Sequence, residues 1–198
     1  MEHLESIGVK DKKTLDIGCG DGRHAKLLHE MGSSNVIGVD INEQMIKMAI
    51  ENNRGVGNMS FEVASGDNLQ NEDNSVDVVI SNFVLHYFEE SYKVFNEIAR
   101  VLKKDGFFVG TFNITEVDEG FENLYNTQMP IKLGSGEDSI IVENLIKSHD
   151  EITNSIKNSG LEIIKEIELE HPNAVVDDSF ENKDQIKKRA VMMILQKL

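Results

Sequence analysis

The chain has 198 residues, of which 39% are hydrophobic and 28% are charged, and its formal net charge is -15. This composition is that of one ordinary globular domain and excludes disordered and fibrous proteins. Because so acidic a chain repels phosphate backbones, we expect no nucleic-acid partner. No apolar run approaches the ~20 residues that cross a bilayer, and the start of the chain lacks a signal-peptide pattern, so we expect no membrane partner.

The cysteine and histidine content bears on disulfides and metal sites. Cys19 is the single cysteine, which excludes an intramolecular disulfide and a cysteine-based zinc cage and predicts a cytoplasmic protein. The histidines show no metal-binding spacing, because His24 and His29 are five residues apart and do not share a helix face. We therefore predict no metal.

Extended apolar runs alternate with helical patterns through residue 112, which is typical of βαβ units and a parallel sheet. The predicted strands are residues 13–17, 35–39, 59–63, 76–80 and 107–112. The predicted helices are residues 23–31, a segment capped by Asn42, and residues 91–102. The chain up to residue 112 thus predicts a parallel sheet with helical connections.

The pattern changes after residue 112. Residues 113–139 are rich in Gly, Asn, Asp and Glu, and Pro130 interrupts them. A connection this long is typically a functional segment, such as a lid, or is poorly ordered. With the following strand or extended edge at residues 140–146, we treat residues 113–147 as a lid-like insertion in a single domain that spans residues 1–198.

Regular structure returns near the end of the chain. Ser148 and Glu151 predict a capping box that opens a helix. Residues 161–169 and 190–195 predict two closing strands, which we expect to pair in antiparallel fashion across the acidic connection at residues 177–184. With these two strands, the predicted sheet has seven strands.

Three glycines at alternate positions follow the first predicted strand. They are Gly18, Gly20 and Gly22. Glycine lets the chain turn sharply and lets a ligand approach the main chain, and the helix N-terminus beyond it attracts negative groups. Asp40 ends the second strand, where a carboxylate can accept hydrogen bonds from both hydroxyls of a ribose. The sequence therefore predicts a ligand that contains a nucleoside.

The spacing of the glycines distinguishes two kinds of nucleoside site. A dinucleotide fingerprint has its third glycine three residues after the second, where this chain has Arg23. The sequence D-I-G-C-G-D-G at residues 16–22 instead resembles the first motif of the class I S-adenosylmethionine-dependent methyltransferases. Later segments resemble the family's next four motifs in order, at residues 39–42, 66–69, 76–82 and 97–106.

The resemblance implies a fold and an activity. The fold is α/β and Rossmann-like: a doubly wound, mostly parallel seven-stranded sheet with an antiparallel C-terminal strand, in a three-layer α/β/α arrangement. The implied activity is methyl transfer with S-adenosylmethionine as cofactor. No Asn-Pro-Pro-Tyr tetrapeptide follows the fourth strand, where residues 81–84 read Ser-Asn-Phe-Val, so we expect a small-molecule acceptor.

The resemblance also implies roles for residues near the glycine loop. The main chain at Gly18, Cys19 and Gly20 would pass beneath the methionine portion of the cofactor, and Asp16 would help to hold its amino group. Arg23, at the helix start, could meet the methionine carboxylate.

Further implied roles lie at the ends of the later strands. Asp40 would bind the ribose hydroxyls, and Ile41 would pack on the adenine ring. Asp67 would accept a hydrogen bond from the adenine amine, and Asn68 would offer its main-chain amide. Ser81, with its neighbour Asn82, would border the methyl group.

Several alternatives stay open at this stage. His86 is either a general base or a packed histidine, and Cys19 is better explained as a small buried filler than as a nucleophile. Family members usually carry a helical segment of a few dozen residues before the first strand, and here about a dozen residues precede Thr14. The chain could therefore bind the cofactor without catalysis, and a nicotinamide-dependent oxidoreductase remains a weaker alternative.

Overall fold

The structure is a computed structural model that describes residue 4 and residues 7–133, 140–169, 174–176 and 179–198. The strands are β1 Lys13–Ile17, β2 Asn35–Asp40, β3 Met59–Val63, β4 Val76–Asn82, β5 Leu102–Val117, β6 Gln128–Leu133, β7 Ile140–Leu145, β8 Leu161–Leu169, β9 Ala174–Val176 and β10 Ile186–Lys197. The helices are α1 Arg23–Glu30, α2 Glu43–Asn52, α3 Ser91–Val101 and α4 His149–Asn158.

The main sheet has seven strands in the order β3-β2-β1-β4-β5-β10-β8. The first five of these are parallel to one another, and β10 runs antiparallel to both of its neighbours. The chain reverses direction across the sheet at β1, between β2 and β4. Ligands of open α/β sheets bind at such a switch point. The predicted fold is confirmed.

The helices cover the two faces of this sheet. On one face α3 and α4 pack on a large apolar core, in which Phe95 meets Phe108 and Phe112 edge to face. On the other face Ala25 and Leu28 of α1 pack against Val36 and Val78. Apolar stripes on the helices are therefore buried against both surfaces of the strands, as a three-layer fold requires.

The predicted caps explain two helix starts. The Asn42 side chain accepts hydrogen bonds from the Gln44 and Met45 amides, at 2.9 and 3.3 Å. Ser148 Oγ accepts from the Glu151 amide at 3.0 Å, which is one half of the predicted capping box. The Glu151 carboxylate does not complete the box, because it accepts hydrogen bonds from other side chains.

The fifth strand is longer than the sequence predicts. It continues through residues 113–117, which the sequence analysis assigned to an irregular connection, because these residues pair with residues 186–190 of β10. The closing strand is longer than predicted for the same reason. Residues 134–139 and 177–178 of the predicted connections lie outside the described residues.

A second sheet follows β5. Its three strands lie in the order β7-β6-β9, and its inner residues Met129 and Ile131 pack with Val117 and Ile186 of the main sheet. The sequence analysis treated Pro130 as a break, but it lies inside β6. Proline is tolerated there because β9 pairs only with the residues that follow it, so no ladder bond to β9 requires its missing N–H.

Candidate functional site

The glycine loop after β1 lies against the end of β2. The amides of Gly18 and Cys19 both donate to the Val39 carbonyl oxygen, at 2.7 and 2.9 Å. Gly18 has a φ of 72°. A Cβ atom there would lie 2.2 Å from Val84 Cγ2, so the loop after β4 rests directly on Gly18. A left-handed conformation and this close approach together require glycine.

The carboxylate of Asp40 holds the glycine loop in place. Its Oδ2 accepts from the Gly20 amide at 3.0 Å, and its Oδ1 accepts from the Asn42 amide at 2.8 Å. An ionised carboxylate offers about four lone-pair sites, so each oxygen can still accept a hydroxyl proton. Asp40 is thus both a loop anchor and an available acceptor.

A cavity of about 530 Å³ opens at the carboxyl ends of the first four strands. Its floor is formed by Ile17, Gly18, Asp40, Ile41, Ala64, Ser65, Gly66 and Asp67. Its rim is formed by residues of the segment 84–90, namely Val84, Tyr87, Phe88, Glu89 and Glu90. The structure therefore brings four of the predicted cofactor-binding residues, from three strand ends, into one cavity: Gly18, Asp40, Ile41 and Asp67.

The turn that carries Asp67 is held by helix α3. The Asp67 carboxylate accepts from Ser65 Oγ. Beyond the turn, the Leu69 amide donates to Glu97 at 2.8 Å, and Arg100 donates to the Leu69 carbonyl oxygen at 3.0 Å. The Asn68 amide donates to the Ser65 carbonyl oxygen at 3.0 Å. This amide, predicted to meet the ligand, is engaged within the turn, and Asn68 does not line the cavity.

Asp16 carries a buried oxygen that lacks a partner. The residue is 1% exposed, and its Oδ2 has no hydrogen bond within the part of the chain that the structure describes. Burial raises the pKa of the Asp16 carboxyl to about 7, and the negative charge of Asp40 acts in the same direction. A cationic ligand group would satisfy both the oxygen and the charge.

A second cavity of about 510 Å³ lies on the other side of the glycine loop. It is lined by Gly18, Cys19, Gly20, Asp21, Arg23, His24, Met45, Met48 and Asn82. Burial, and then the charges of Asp16 and Asp40, raise the pKa of the Cys19 thiol. Because the thiolate is the nucleophilic form, this environment fits the buried-filler interpretation of Cys19.

Ser81 lies beneath the site rather than in it. It is fully buried, and its Oγ donates to the Ile17 carbonyl oxygen at 3.0 Å, which ties β4 to β1. The predicted contact of Ser81 with the methyl group is therefore not available to its side chain in this arrangement. The following residue, Asn82, does line the second cavity.

His86 is packed beneath the rim. It is 1% exposed and lines neither of the two cavities. The Asn113 amide donates to its Nδ1 at 3.5 Å, and its Nε2 lies 3.3 Å from the Asn113 side-chain amide. An imidazole that accepts at Nδ1 carries its proton on Nε2. With the Asn113 side-chain amide turned by 180°, Oδ1 takes the place of Nδ2 beside Nε2 and accepts that proton, which gives the unpartnered Oδ1 a hydrogen bond. The geometry favours the packed histidine over the general base.

Comparison with known proteins agrees with this site. Residues 15–110 match a family described as a methyltransferase domain. The crystal structure of an S-adenosylmethionine-dependent methyltransferase from Mesorhizobium loti superimposes with a TM-score of 0.71 at 18% identity, covering 99% of this chain and 96% of that one. The predicted resemblance to the class I S-adenosylmethionine-dependent methyltransferases is confirmed, and residues 15–110 form a methyltransferase domain.

Curated relatives of this methyltransferase domain carry names with different acceptors. Sterol 24-C-methyltransferase erg6 of Aspergillus fumigatus is 30% identical over 178 residues, which is 85% of this chain and 45% of that protein. Ribosomal protein L11 methyltransferase of Desulforamulus reducens is 32% identical over 141 residues, which is 70% of this chain and 44% of that protein. The chain thus spans less than half the length of these relatives.

Three rim residues of the methyltransferase site are not predicted by the sequence. Phe88, Glu89 and Glu90 line the first cavity although no motif includes them. The available signal was their position just after the carboxyl end of β4, where ligand-binding loops of open α/β sheets lie. Only the conformation of the segment, with Phe83 at a φ of 55°, shows that it folds back over Gly18.

The described residues were also considered for a metal centre and for a membrane-spanning helix. Within the described ranges, no group of three or more His, Cys, Asp or Glu side chains could hold a metal ion. No helix in the same part of the chain is both long and apolar enough to span a membrane.

Proposed function

We propose that this domain binds S-adenosylmethionine across its glycine loop and transfers the methyl group to a small-molecule acceptor. The observation that carries the proposal is the convergence of Gly18, Asp40 and Asp67, from successive strand ends, on the first cavity. In the proposed arrangement adenosine occupies this cavity, with its ribose at Asp40 and its adenine beside Ile41 and Asp67. Three rim residues, Val84, Tyr87 and Phe88, cover the opposite face of the ring.

The chemistry of Asp16 supports the methionine end of this arrangement. Its buried, unpartnered Oδ2 is a site for the α-ammonium group of the cofactor. Binding of a cation favours the ionised carboxylate, so the pKa of Asp16 falls from about 7 when the ligand enters. Gly18 lines both cavities, and Cys19 and Gly20 line the second. The cofactor would therefore cross the glycine loop at Gly18, with its methionine end in the second cavity.

The protein's contribution to the reaction is mainly positioning. The bound cofactor supplies a methyl group that its sulfonium already activates. Holding an acceptor in line at ~3 to 3.5 Å can provide roughly 7 to 11 kcal/mol of the barrier. An amine or thiol acceptor needs no base. For a hydroxyl acceptor, His24 is the imidazole that lines the second cavity; burial and the charge of Arg23 lower its pKa and keep it neutral.

The second cavity supports a small acceptor. Two methionines, Met45 and Met48, give it apolar surface, while Arg23 and Asn82 offer hydrogen-bond donors. The net charge of -15 disfavours nucleic acid, and the sterol methyltransferase relative supports a small molecule more directly. We further propose that the segment after β5, which includes the β6–β7 hairpin, forms a lid over the acceptor within a single cytoplasmic domain.

Calorimetry tests cofactor binding first. Titration with S-adenosylmethionine and with S-adenosylhomocysteine should give one site per chain, and Asp40→Ala should weaken both. NADH serves as the competing ligand. Absence of heat with both S-adenosyl compounds, or saturable binding of NADH, would contradict the proposal.

Methyl transfer is then measured with labelled cofactor against a panel of small molecules and against ribosomal protein L11. Label incorporated into a small molecule, and lost in Asp40→Ala, is the expected result. Incorporation only into the ribosomal protein would make the acceptor a protein. Tight binding of the cofactor with no transfer to any acceptor would favour the binding protein without catalysis.

A further inference from the structure

Among the residues that the structure describes, Lys147 is the largest charged side chain that is completely buried. Its relative exposure is 0%, although it follows directly after the β6–β7 hairpin. Its Nζ donates three hydrogen bonds: to the Glu89 carbonyl oxygen at 2.6 Å, to Asn126 Oδ1 at 2.7 Å and to Glu151 Oε1 at 2.8 Å. An ammonium group has three protons, so all of its donors are used.

These three acceptors belong to segments that are distant in sequence. Glu89 lies in the rim of the first cavity, Asn126 lies in the turn before β6, and Glu151 lies in the first turn of α4. Glu151 Oε1 also accepts from Ser91 Oγ at 3.0 Å, at the start of α3. One buried ammonium therefore joins the cavity rim, the three-stranded sheet and two helix starts.

The main chain of Lys147 adds a further link. Its carbonyl oxygen accepts from the Thr115 amide at 2.8 Å, so the residue also lies against the extended part of β5. The adjoining turn is closed by two main-chain bonds, from Asn126 to Ile146 and from Ile146 to Thr127, at 2.8 and 2.9 Å. A displacement of the three-stranded sheet would therefore move Lys147, and with it the donor to the rim.

Stability alone does not explain a charge at this position. Removing water from an ammonium and a carboxylate costs several kcal/mol, and apolar pairs of similar volume often stabilise a protein equally well. A hydrogen-bonded ion pair does differ from an apolar pair in that it fixes the direction of each contact. Here one of those contacts is a main-chain oxygen of the rim.

We propose that Lys147 is a positioning residue: through the Glu89 carbonyl oxygen it fixes the rim of the first cavity, and it couples that cavity to the three-stranded sheet. Occupation of the cavity then restrains the β6–β7 hairpin, and displacement of the hairpin loosens the rim. This inference rests on the proposed function, because it takes the first cavity as the cofactor site.

Four forms of the protein separate positioning from stability. The wild type is compared with Lys147→Met, which leaves the Glu151 carboxylate without its cation and with only the Ser91 hydrogen bond, and with Lys147→Met/Glu151→Met, which replaces the ion pair by an apolar pair. Lys103→Met is the matched control, because it breaks a half-exposed ion pair with Asp77, a residue that lines neither cavity. Each form is measured for melting temperature, for affinity to S-adenosylhomocysteine, and for hydrogen exchange with and without this ligand.

We expect the double variant to regain most of the melting temperature that Lys147→Met loses. Its affinity for S-adenosylhomocysteine should nevertheless stay reduced about tenfold, the size of one lost hydrogen bond to a charged group. In the wild type, the ligand should slow exchange at the Gly20 amide and at the Asn126 and Ile146 amides. In the double variant, slowing should persist at Gly20 and disappear at Asn126 and Ile146.

The outcomes that overturn the inference differ from those that overturn the proposed function. A stable double variant with wild-type affinity, or with ligand-dependent slowing retained at Asn126 and Ile146, shows that Lys147 is structural only. Absence of ligand-dependent slowing at these two amides in the wild type has the same meaning. If the wild type binds no S-adenosylhomocysteine at all, the proposed function fails and the inference fails with it.

Discussion

The floor and the rim of the first cavity are built in different ways. The floor consists of strand ends and short turns, and Asp40 anchors the glycine loop directly across neighbouring strands. The rim is one segment after β4, held from the C-terminal half of the chain by Thr111, Asn113 and Lys147. The floor therefore depends on the parallel sheet and on helix α3, which lies within the first half of the chain. The rim depends on residues that pack against it from a later part of the chain.

The largest expected loss of cofactor affinity comes from Gly18, because the floor and the rim of the first cavity touch there. Gly18→Ala should weaken cofactor binding on the order of 100-fold, because the left-handed conformation costs ~1 to 2 kcal/mol and the contact with Val84 adds an overpacking cost of ~1 to 3 kcal/mol. Calorimetry with S-adenosylhomocysteine measures the change.

Gly20→Ala is the matched control for Gly18. Gly20 also has a positive φ, of 53°, but no atom lies within 4 Å of the position of its Cβ. It should show only the conformational part of the cost, roughly tenfold. Equal losses in the two variants would mean that Val84 does not press on the glycine loop in solution.

A substitution at Asp40 changes the floor of the first cavity and leaves the rim intact. Asp40→Ala should weaken cofactor binding by about 1.5 to 3 kcal/mol, which is roughly 10- to 150-fold, because charged hydrogen bonds to the ribose and to Gly20 are lost. Asp118→Ala, which makes the same charge change at an exposed position outside both cavities, should bind normally. Unchanged affinity in Asp40→Ala would place the ribose elsewhere.

Asp16 lies in β1 two residues before Gly18 and lines neither cavity, and its carboxyl should give cofactor binding a pH dependence. With a pKa of about 7 before the ligand enters, the carboxyl is mostly neutral below that pH, so an ammonium group must bind with loss of a proton. Affinity should therefore fall as the pH decreases below about 7, by up to roughly tenfold per pH unit. Asp16→Asn should bind about tenfold more weakly at pH 8 and show little change with pH.

The same carboxyl should make the ligand-free protein less stable at high pH. Its pKa in the folded state lies above the ordinary value of 3.8, so the folded protein binds the extra proton, and its stability falls as the pH rises through about 7. Asp16→Asn removes this loss and should raise the free energy of unfolding at pH 8, on the order of a few kcal/mol. A less stable variant at pH 8 would show that Asp16 has a partner when ionised.

The smallest effect on turnover is expected in the rim. His86→Ala should lower the free energy of unfolding by about 1 to 3 kcal/mol, because Asn113 loses its partner, and should change turnover less than about tenfold. Denaturant unfolding and turnover with the acceptor found by the panel measure the two effects. A loss of ~10²- to 10⁴-fold in turnover with stability unchanged would instead make His86 the base.

The floor could be predicted from the sequence because its chemistry is local. Asp40 and Asp67 each follow a short apolar strand, and carboxyl ends of parallel strands meet at one edge of the sheet. The spacing of Gly18, Gly20 and Gly22 then pointed to one cofactor. The misplacement of Ser81 has a different origin, since nothing in a strand's sequence shows which of its hydroxyls bonds to the neighbouring strand.

The rim could not be predicted because its polar residues find their partners far away in sequence. Asn113 and Thr115 look like loop residues, but they are buried in β5 because β10 and Lys147 satisfy their main-chain groups. Lys147 directly follows the apolar run at residues 140–146, but a lysine at the end of such a run is ordinarily exposed, so the sequence does not predict its burial. The periodicity of hydrophobic residues and the composition of a segment predict which apolar residues are buried. Burial of a charged side chain depends instead on hydrogen-bond acceptors that are brought together only in the tertiary fold.

The position of Cys19 allows movement of the glycine loop to be followed in the unlabelled native protein. It is the single thiol of the chain, it is 4% exposed, and it lies within the glycine loop between the two cavities. A thiol-specific reagent can reach it only when the loop lifts, and the raised pKa of the thiol keeps reaction slow at other times. The rate of modification therefore measures how often the loop opens, without any introduced label.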